Sequence, residues 1–170
     1  MSLSETINPR YQAIMSRFQS MYEDAQLFQK QVMEYAKRQD ELNAKITNVD
    51  NQLQALIDEN RTPAWNLNKR LEVRQKFFSL YDIIIPLQVE LMEKSMPHIN
   101  SIYEYIPTVR SDLKKINPAK ITADEAISIL TNLETKIDEL EAGLKLVQQR
   151  LINCQNLYAE LQALHNSTLN

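Results

Sequence analysis

Glycine is nearly absent from this chain: Gly143 is the sole one in 170 residues, where average usage would give roughly a dozen. Glycine supplies positive φ in tight turns and lets backbone approach a ligand closely. Without it, glycine-rich phosphate loops, dinucleotide fingerprints and hairpin-rich β folds are excluded in practice. Cysteine is as scarce. Cys154 stands alone, so no internal disulfide or cysteine-based zinc site can form. The two histidines, His98 and His165, fit no metal-ligand spacing and are expected to be ordinary surface or helix-end residues. No run approaches the ~20 apolar residues needed to span a bilayer. The longest, Ile83-Ile84-Ile85-Pro86-Leu87, is interrupted by proline. Residues 1–20 lack an apolar signal core. These absences point to a soluble, intracellular protein, cytoplasmic or nuclear, in which the sequons at Asn60 and Asn166 are accidental.

What is present is helical periodicity. Hydrophobic residues make up 44% and charged residues 24% of the chain, a balance that suits a folded protein. From Tyr11 to Leu56 a heptad runs with Tyr11, Phe18, Ala25, Val32, Gln39, Ile46 and Leu53 at a, and Ile14, Met21, Phe28, Tyr35, Leu42, Val49 and Leu56 at d. Only Gln39 is polar. A buried polar residue at a can fix register and partner number. Asn8 and Pro9 supply an N-cap and a first helical residue, which predicts a helix over about 9–60. Its first half also carries Met15, Tyr22 and Ala36 at e, a face broad enough for more than one partner helix.

Thr62-Pro63 repeats the cap-then-proline signal and predicts a reversal into a second helix over about 63–105. That helix has two apolar stripes. One holds Leu67, Leu71, Phe78, Tyr81, Ile85, Met92, Ile99 and Ile102; the other holds Val73, Phe77, Leu80, Ile84, Leu87 and Leu91. Pro86 and Pro97 are expected to kink it and Pro107 to close it. Val109, Leu113 and Ile116 then share a face on a short connecting helix, and Asn117-Pro118 makes a turn. Thr122-Ala123-Asp124-Glu125 is a full capping box. It opens a third helix over about 123–165, whose twelve a and d positions from Ala123 to Leu161 are all apolar. Residues 1–7 and 166–170 are expected to fray.

The fold class is therefore all-α: a single elongated domain, an antiparallel three-helix bundle or coiled coil about 65–75 Å long. Charge agrees with the central place of the second helix. Residues 1–60 carry six basic and nine acidic side chains, residues 61–120 ten and six, and residues 121–170 three and seven. A basic middle element flanked by acidic ones favours its pairing with both neighbours, though exposed ion pairs contribute only about 0–1 kcal/mol each.

No constellation for catalysis or cofactor binding emerges. Cys154 lies on the seam as a small hydrophobe. Glu134, Asp138, Glu139 and Glu141 fall at outer positions, and a di-metal bundle would need inward Glu-x-x-His pairs, which the sequence lacks. The expectation is a non-enzymatic interaction protein without metal or cofactor. It would be a coiled-coil subunit or adaptor that binds other helical proteins, as a homo- or hetero-oligomer, through its seams. The candidate partner-binding residues are Tyr11, Phe18, Phe28 and Tyr35 on the broad half of the first helix. Tyr103 and Tyr105 join Arg110, Lys114 and Lys115 as a second set, because aromatics beside basic residues make an interface patch. A second basic group, Lys69, Arg70, Arg74 and Lys76, opens the second helix, and Lys120 extends the first group. Two other classes also fit: a membrane-shaping or membrane-tethering module binding acidic lipids, and a secreted or injected helical effector. The global charge of −3 gives no reason to expect nucleic-acid binding.

Overall fold

The computed structural model describes residues 3–59, 64–116 and 120–169. Within them are helices α1 (Leu3–Glu59), α2 (Ala64–Glu90), α3 (Met96–Lys115) and α4 (Ala123–Leu169), with a five-residue π-helical segment, Leu91–Ser95, between α2 and α3. No strand occurs among the described residues, and the fold is an all-α helical bundle. The expected reversal at Thr62-Pro63 and the turn at Asn117-Pro118 lie outside the described residues. So do the side chains of Gln39, Ile46, Val49, Leu53 and Leu56 from the first seam, and those of Lys69, Arg70 and His165.

Contacts divide the chain into two compact units: residues 1–30 with 94–148, and residues 31–93 with 149–170. In the first unit Ile7, Ile14, Val109, Leu113, Ala126, Leu130, Leu133 and Ile137 form the buried core. In the second, Leu42, Phe77, Ile84 and Leu161 do so, with Phe78, Leu80, Tyr81, Leu157, Tyr158 and Leu164 packed around them. Within unit 1, α1 and α4 run parallel: Arg10 meets Glu134 and Arg17 meets Glu141, both 124 residues apart. α3 runs antiparallel to α4, with His98 against Leu140 and Tyr105 against Lys136. In unit 2, α2 opposes α4 in the same sense, Gln88 meeting Tyr158 and Glu90 meeting Arg150.

The helix boundaries differ from expectation in instructive places. α1 begins at Leu3, so Asn8 and Pro9 sit inside it and Ile7 is buried in the core of unit 1. Burying that isoleucine outweighs the local preference for a cap at Asn8. α4 likewise continues through Asn166 to Leu169. Pro86 lies inside α2, as the persistent apolar pattern implied. Pro107 does not close its helix: α3 continues for eight residues past it, to Lys115. The lost N–H bond and ring clash cost roughly 3 kcal/mol, but Val109 and Leu113 beyond the proline are fully buried. Each such burial offsets about 1.5–3 kcal/mol, so packing wins.

The π segment was not foreseen. Of the two apolar stripes, the deep one leading into it is Phe77–Ile84, ending at Leu91 on its first residue; after it, Ile99 and Ile102, from the other stripe, are fully buried. A wide i→i+5 turn inserts one extra residue and so rephases the helix, bringing the second stripe inward without ending the helix. Pro97 follows directly after this widened turn, at the start of α3, and the helix runs on through it.

The start of α4 is as the sequence implied. The Glu125 amide donates to Thr122 Oγ1 at 3.2 Å, and the Thr122 amide donates to Glu125 Oε2 at 3.3 Å. Ten of the twelve seam side chains of α4 are buried, the exceptions being Ala123 and Tyr158. Thr122→Ala removes one arm of the cap and is expected to destabilise the protein by about 1 kcal/mol, measured by urea denaturation. An unchanged midpoint would show that the cap contributes nothing.

Candidate interaction surfaces

In unit 1 the parallel α1–α4 contact is edged by charge. Arg10 Nε donates to Glu134 Oε1 at 2.8 Å. Arg17 holds Glu141 through two donors, Nε and Nη2, each at 3.1 Å, and also pairs with Asp138. Arg10 and Arg17 occupy g positions of α1, and Glu134 and Glu141 occupy e positions of α4, the places where parallel coiled coils set register. These bonds hold both guanidiniums above the ordinary arginine pKa. Of the acids placed at outer positions, Glu134, Asp138 and Glu141 thus pair across the two helices and help set their register, though each exposed pair is individually weak. Glu139 instead pairs with Lys136 of its own helix.

Beside this edge lies a groove of about 530 Å³. Ser16, Ser20, Asp24 and Leu27 of α1 form one wall, Lys145 and Gln148 of α4 the other, and Met21, Phe28 and Leu144 also line it. Leu27 is 50% exposed. It sits off the heptad seam, and an off-seam leucine on an otherwise polar face is the sequence signal that would have marked this site. Elsewhere in unit 1, the sole glycine serves a packing role: the His98 imidazole rests on Gly143, where a Cβ would fall against Cε1, Nε2 and Nδ1. From there His98 Nε2 donates to the Leu140 carbonyl at 2.9 Å. His98 is thus half-buried and bonded, not the ordinary surface residue expected.

In unit 2 a second groove, about 650 Å³, runs between α1 and α4. Tyr35 and Tyr158 line it with ring centroids 5.5 Å apart, and the Arg38 guanidinium lies over both, 5.4 and 5.9 Å from the centroids. Burial pushes both phenols above their usual pKa. Gln88, 4% exposed, donates from Nε2 to Tyr158 Oη at 2.7 Å, while its Oε1 has no partner among the described residues. Cys154 is fully buried, and desolvation raises its thiol to about 11. At neutral pH it is a packing group and not a nucleophile.

The sequence-derived candidates are distributed as follows. Tyr11, Phe18 and Tyr105 are half-buried against the core of unit 1, Tyr105 with Lys136 6.0 Å from its ring. Tyr103 meets Tyr22 edge-on at 5.4 Å and donates to Gln29 Oε1 at 3.1 Å. Phe28 lines the unit 1 groove, and Tyr35, nearly buried, lines that of unit 2. Arg110, Lys114 and Lys115 are exposed. They lie on the last turns of α3 instead of a separate connecting element, and Lys115 pairs with Asp112 at 3.3 Å. The aromatic members are thus engaged in packing within the chain, and the basic ones face solvent.

Among the described residues, no group of three or more His, Cys, Asp or Glu side chains is arranged to hold a metal ion. None of the described helices is long and apolar enough to cross a membrane. No protein-family model matches the chain, and no solved structure matches it. Over 69 residues, 41% of its length, it is 33% identical to the probable ATP-dependent RNA helicase spindle-E of Drosophila sechellia. Over 69 residues it is 30% identical to the spindle-E protein of Drosophila melanogaster. The chain is similar to 5% of the length of these curated relatives.

Proposed function

We propose that the chain is a non-enzymatic interaction protein, a helical subunit or adaptor that joins a larger intracellular assembly through helix–helix contacts. The observation that carries this reading is the unit 1 groove, where half-exposed Leu27 stands beside Met21, Phe28 and Leu144. A groove between two parallel helices that presents exposed Leu27 among polar and charged side chains suits an amphipathic further helix. The serines at 16 and 20 leave room for a backbone to approach. The likeness to spindle-E proteins covers too little of them for the activity in their name to be carried over.

The test is affinity purification from the native source with the wild-type chain and with Leu27→Arg. The arginine places a charge where an apolar contact is expected and is predicted to reduce partner recovery at least ten-fold, about 1.4 kcal/mol. The far-ultraviolet circular dichroism should stay unchanged, because Leu27 lies outside the core. Equal recovery by both proteins, or no partner with either, would sink the reading.

A further inference from the structure

The α1 edge of the unit 2 groove has a symmetry of its own. Gln31, Glu34, Arg38, Glu41 and Lys45 line it, and exposed Asn48 extends the same row. The intervals between these six residues are three, four, three, four and three, the same from either end. The four charges alternate, negative at Glu34, positive at Arg38, negative at Glu41 and positive at Lys45. Read backwards, every sign is reversed. The row is therefore complementary to itself in the antiparallel sense. A second copy laid against it sets Glu34 opposite Lys45, Arg38 opposite Glu41, and the amides of Gln31 and Asn48 opposite each other. In-register parallel pairing would set like charge on like.

The charges are also disposed for such a contact. Glu34, Glu41 and Lys45 are exposed and enter none of the ion pairs among the described residues. Arg38 is held along the groove by Tyr35 and Tyr158 through its face, which fixes the side chain while its charge persists. The opposite wall, Gln155, Ala159, Gln162 and Asn166, is uncharged, so it neither adds to nor opposes the code on α1. The small Ala159 lets a second helix settle close. Under the same pairing Lys37 falls level with Leu42 of the second copy, so it meets no like charge there.

We propose that two copies of this chain associate through this edge, antiparallel and two-fold symmetric, with the axis between Gln39 and Asp40. Such a contact is isologous: each residue meets in the second copy the one that meets it in return. Exposed charge pairs of this kind govern register and partner choice more than affinity. The inference concerns a different surface and a different partner from the adaptor reading and does not rest on it.

Sedimentation equilibrium of the full chain tests it. The wild-type protein is expected to dimerise at about 50 mM salt and to weaken as salt rises to about 500 mM and screens the pairs. Glu34→Lys alone, or Lys45→Glu alone, turns two attractive pairs of the symmetric dimer into repulsive ones. Each should raise the dissociation constant about ten-fold or more. An equimolar mixture of the two variants should recover wild-type affinity. In the mixed dimer the lysine introduced at position 34 faces the glutamate introduced at position 45, and the native pair remains at the other end. Both sites are exposed, and circular dichroism checks that the fold is kept. A wild-type monomer at low salt would overturn the proposal. So would a dimer indifferent to both substitutions, or a mixture no tighter than either variant alone.

Discussion

Truncating Leu113 to alanine is expected to destabilise the protein by about 2–5 kcal/mol, the range for a fully packed leucine. Arg110→Ala, on the exposed side of the same stretch, should shift stability by less than about 0.5 kcal/mol. The contrast is informative because both residues lie beyond Pro107, where local rules would end the helix. Leu113 is 4% exposed and belongs to the core formed with Ile7, Ile14, Leu130 and Leu133. If the chain past Pro107 were only a surface connection, the two substitutions would have similar, small effects. Urea denaturation of both variants decides between these outcomes, and equal midpoints would remove α3 beyond Pro107 from the core.

Gly143→Ala should also destabilise, by about 1–3 kcal/mol, against the ordinary trend. In an open helix the change gains up to about 1 kcal/mol, because alanine is the better helix former. Here the new methyl would meet the His98 ring. Displacing the ring adds overpacking of about 1–3 kcal/mol and removes the bond to the Leu140 carbonyl, worth about 1 kcal/mol. Combination with His98→Ala gives the sharper test. Once the imidazole is gone, the methyl has space, and the double variant should be more stable than His98→Ala by about 1 kcal/mol. The sign of the glycine substitution would thus depend on the histidine, a coupling that only direct contact produces. Additive effects in the double variant would refute the packed arrangement.

These two sites mark where sequence reasoning stops. The seam of α4 was legible because it needs only one helix's own periodicity, and its capping box because all four residues are adjacent. Ile14, Met21, Ala25, Val32 and Tyr35 of α1 were likewise recognisable from spacing, and all are buried. Pro107 misled because proline's cost is local, whereas the burial of Val109 and Leu113 depends on α4. The π segment Leu91–Ser95 carries no residue signature. It was detectable at most as a conflict between two apolar stripes on one helix. The role of the acids on α4 was hidden because Glu134 and Glu141 acquire meaning only when Arg10 and Arg17, over 120 residues away, arrive beside them. Gly143 was conspicuous by its rarity, but its reason lies on α3. The groove at Leu27 follows from the packing of two helices and no single segment contains it.

The parallel pairing of α1 and α4 in unit 1 constrains this chain in another currency, its residue count. Arg10 and Arg17 meet Glu134 and Glu141 at one constant offset. Deleting a single residue between the two arginines would turn everything after it by about 100° on α1. Arg17 would leave Glu141, and Met21 and Ala25 would rotate out of the core together. Substitutions are absorbed one side chain at a time, whereas an insertion or deletion is charged to the whole following helix. Only a change of seven residues, matched on the partner helix, restores both the charges and the apolar face. The helices of this unit can vary in composition on their exposed faces but are nearly fixed in length.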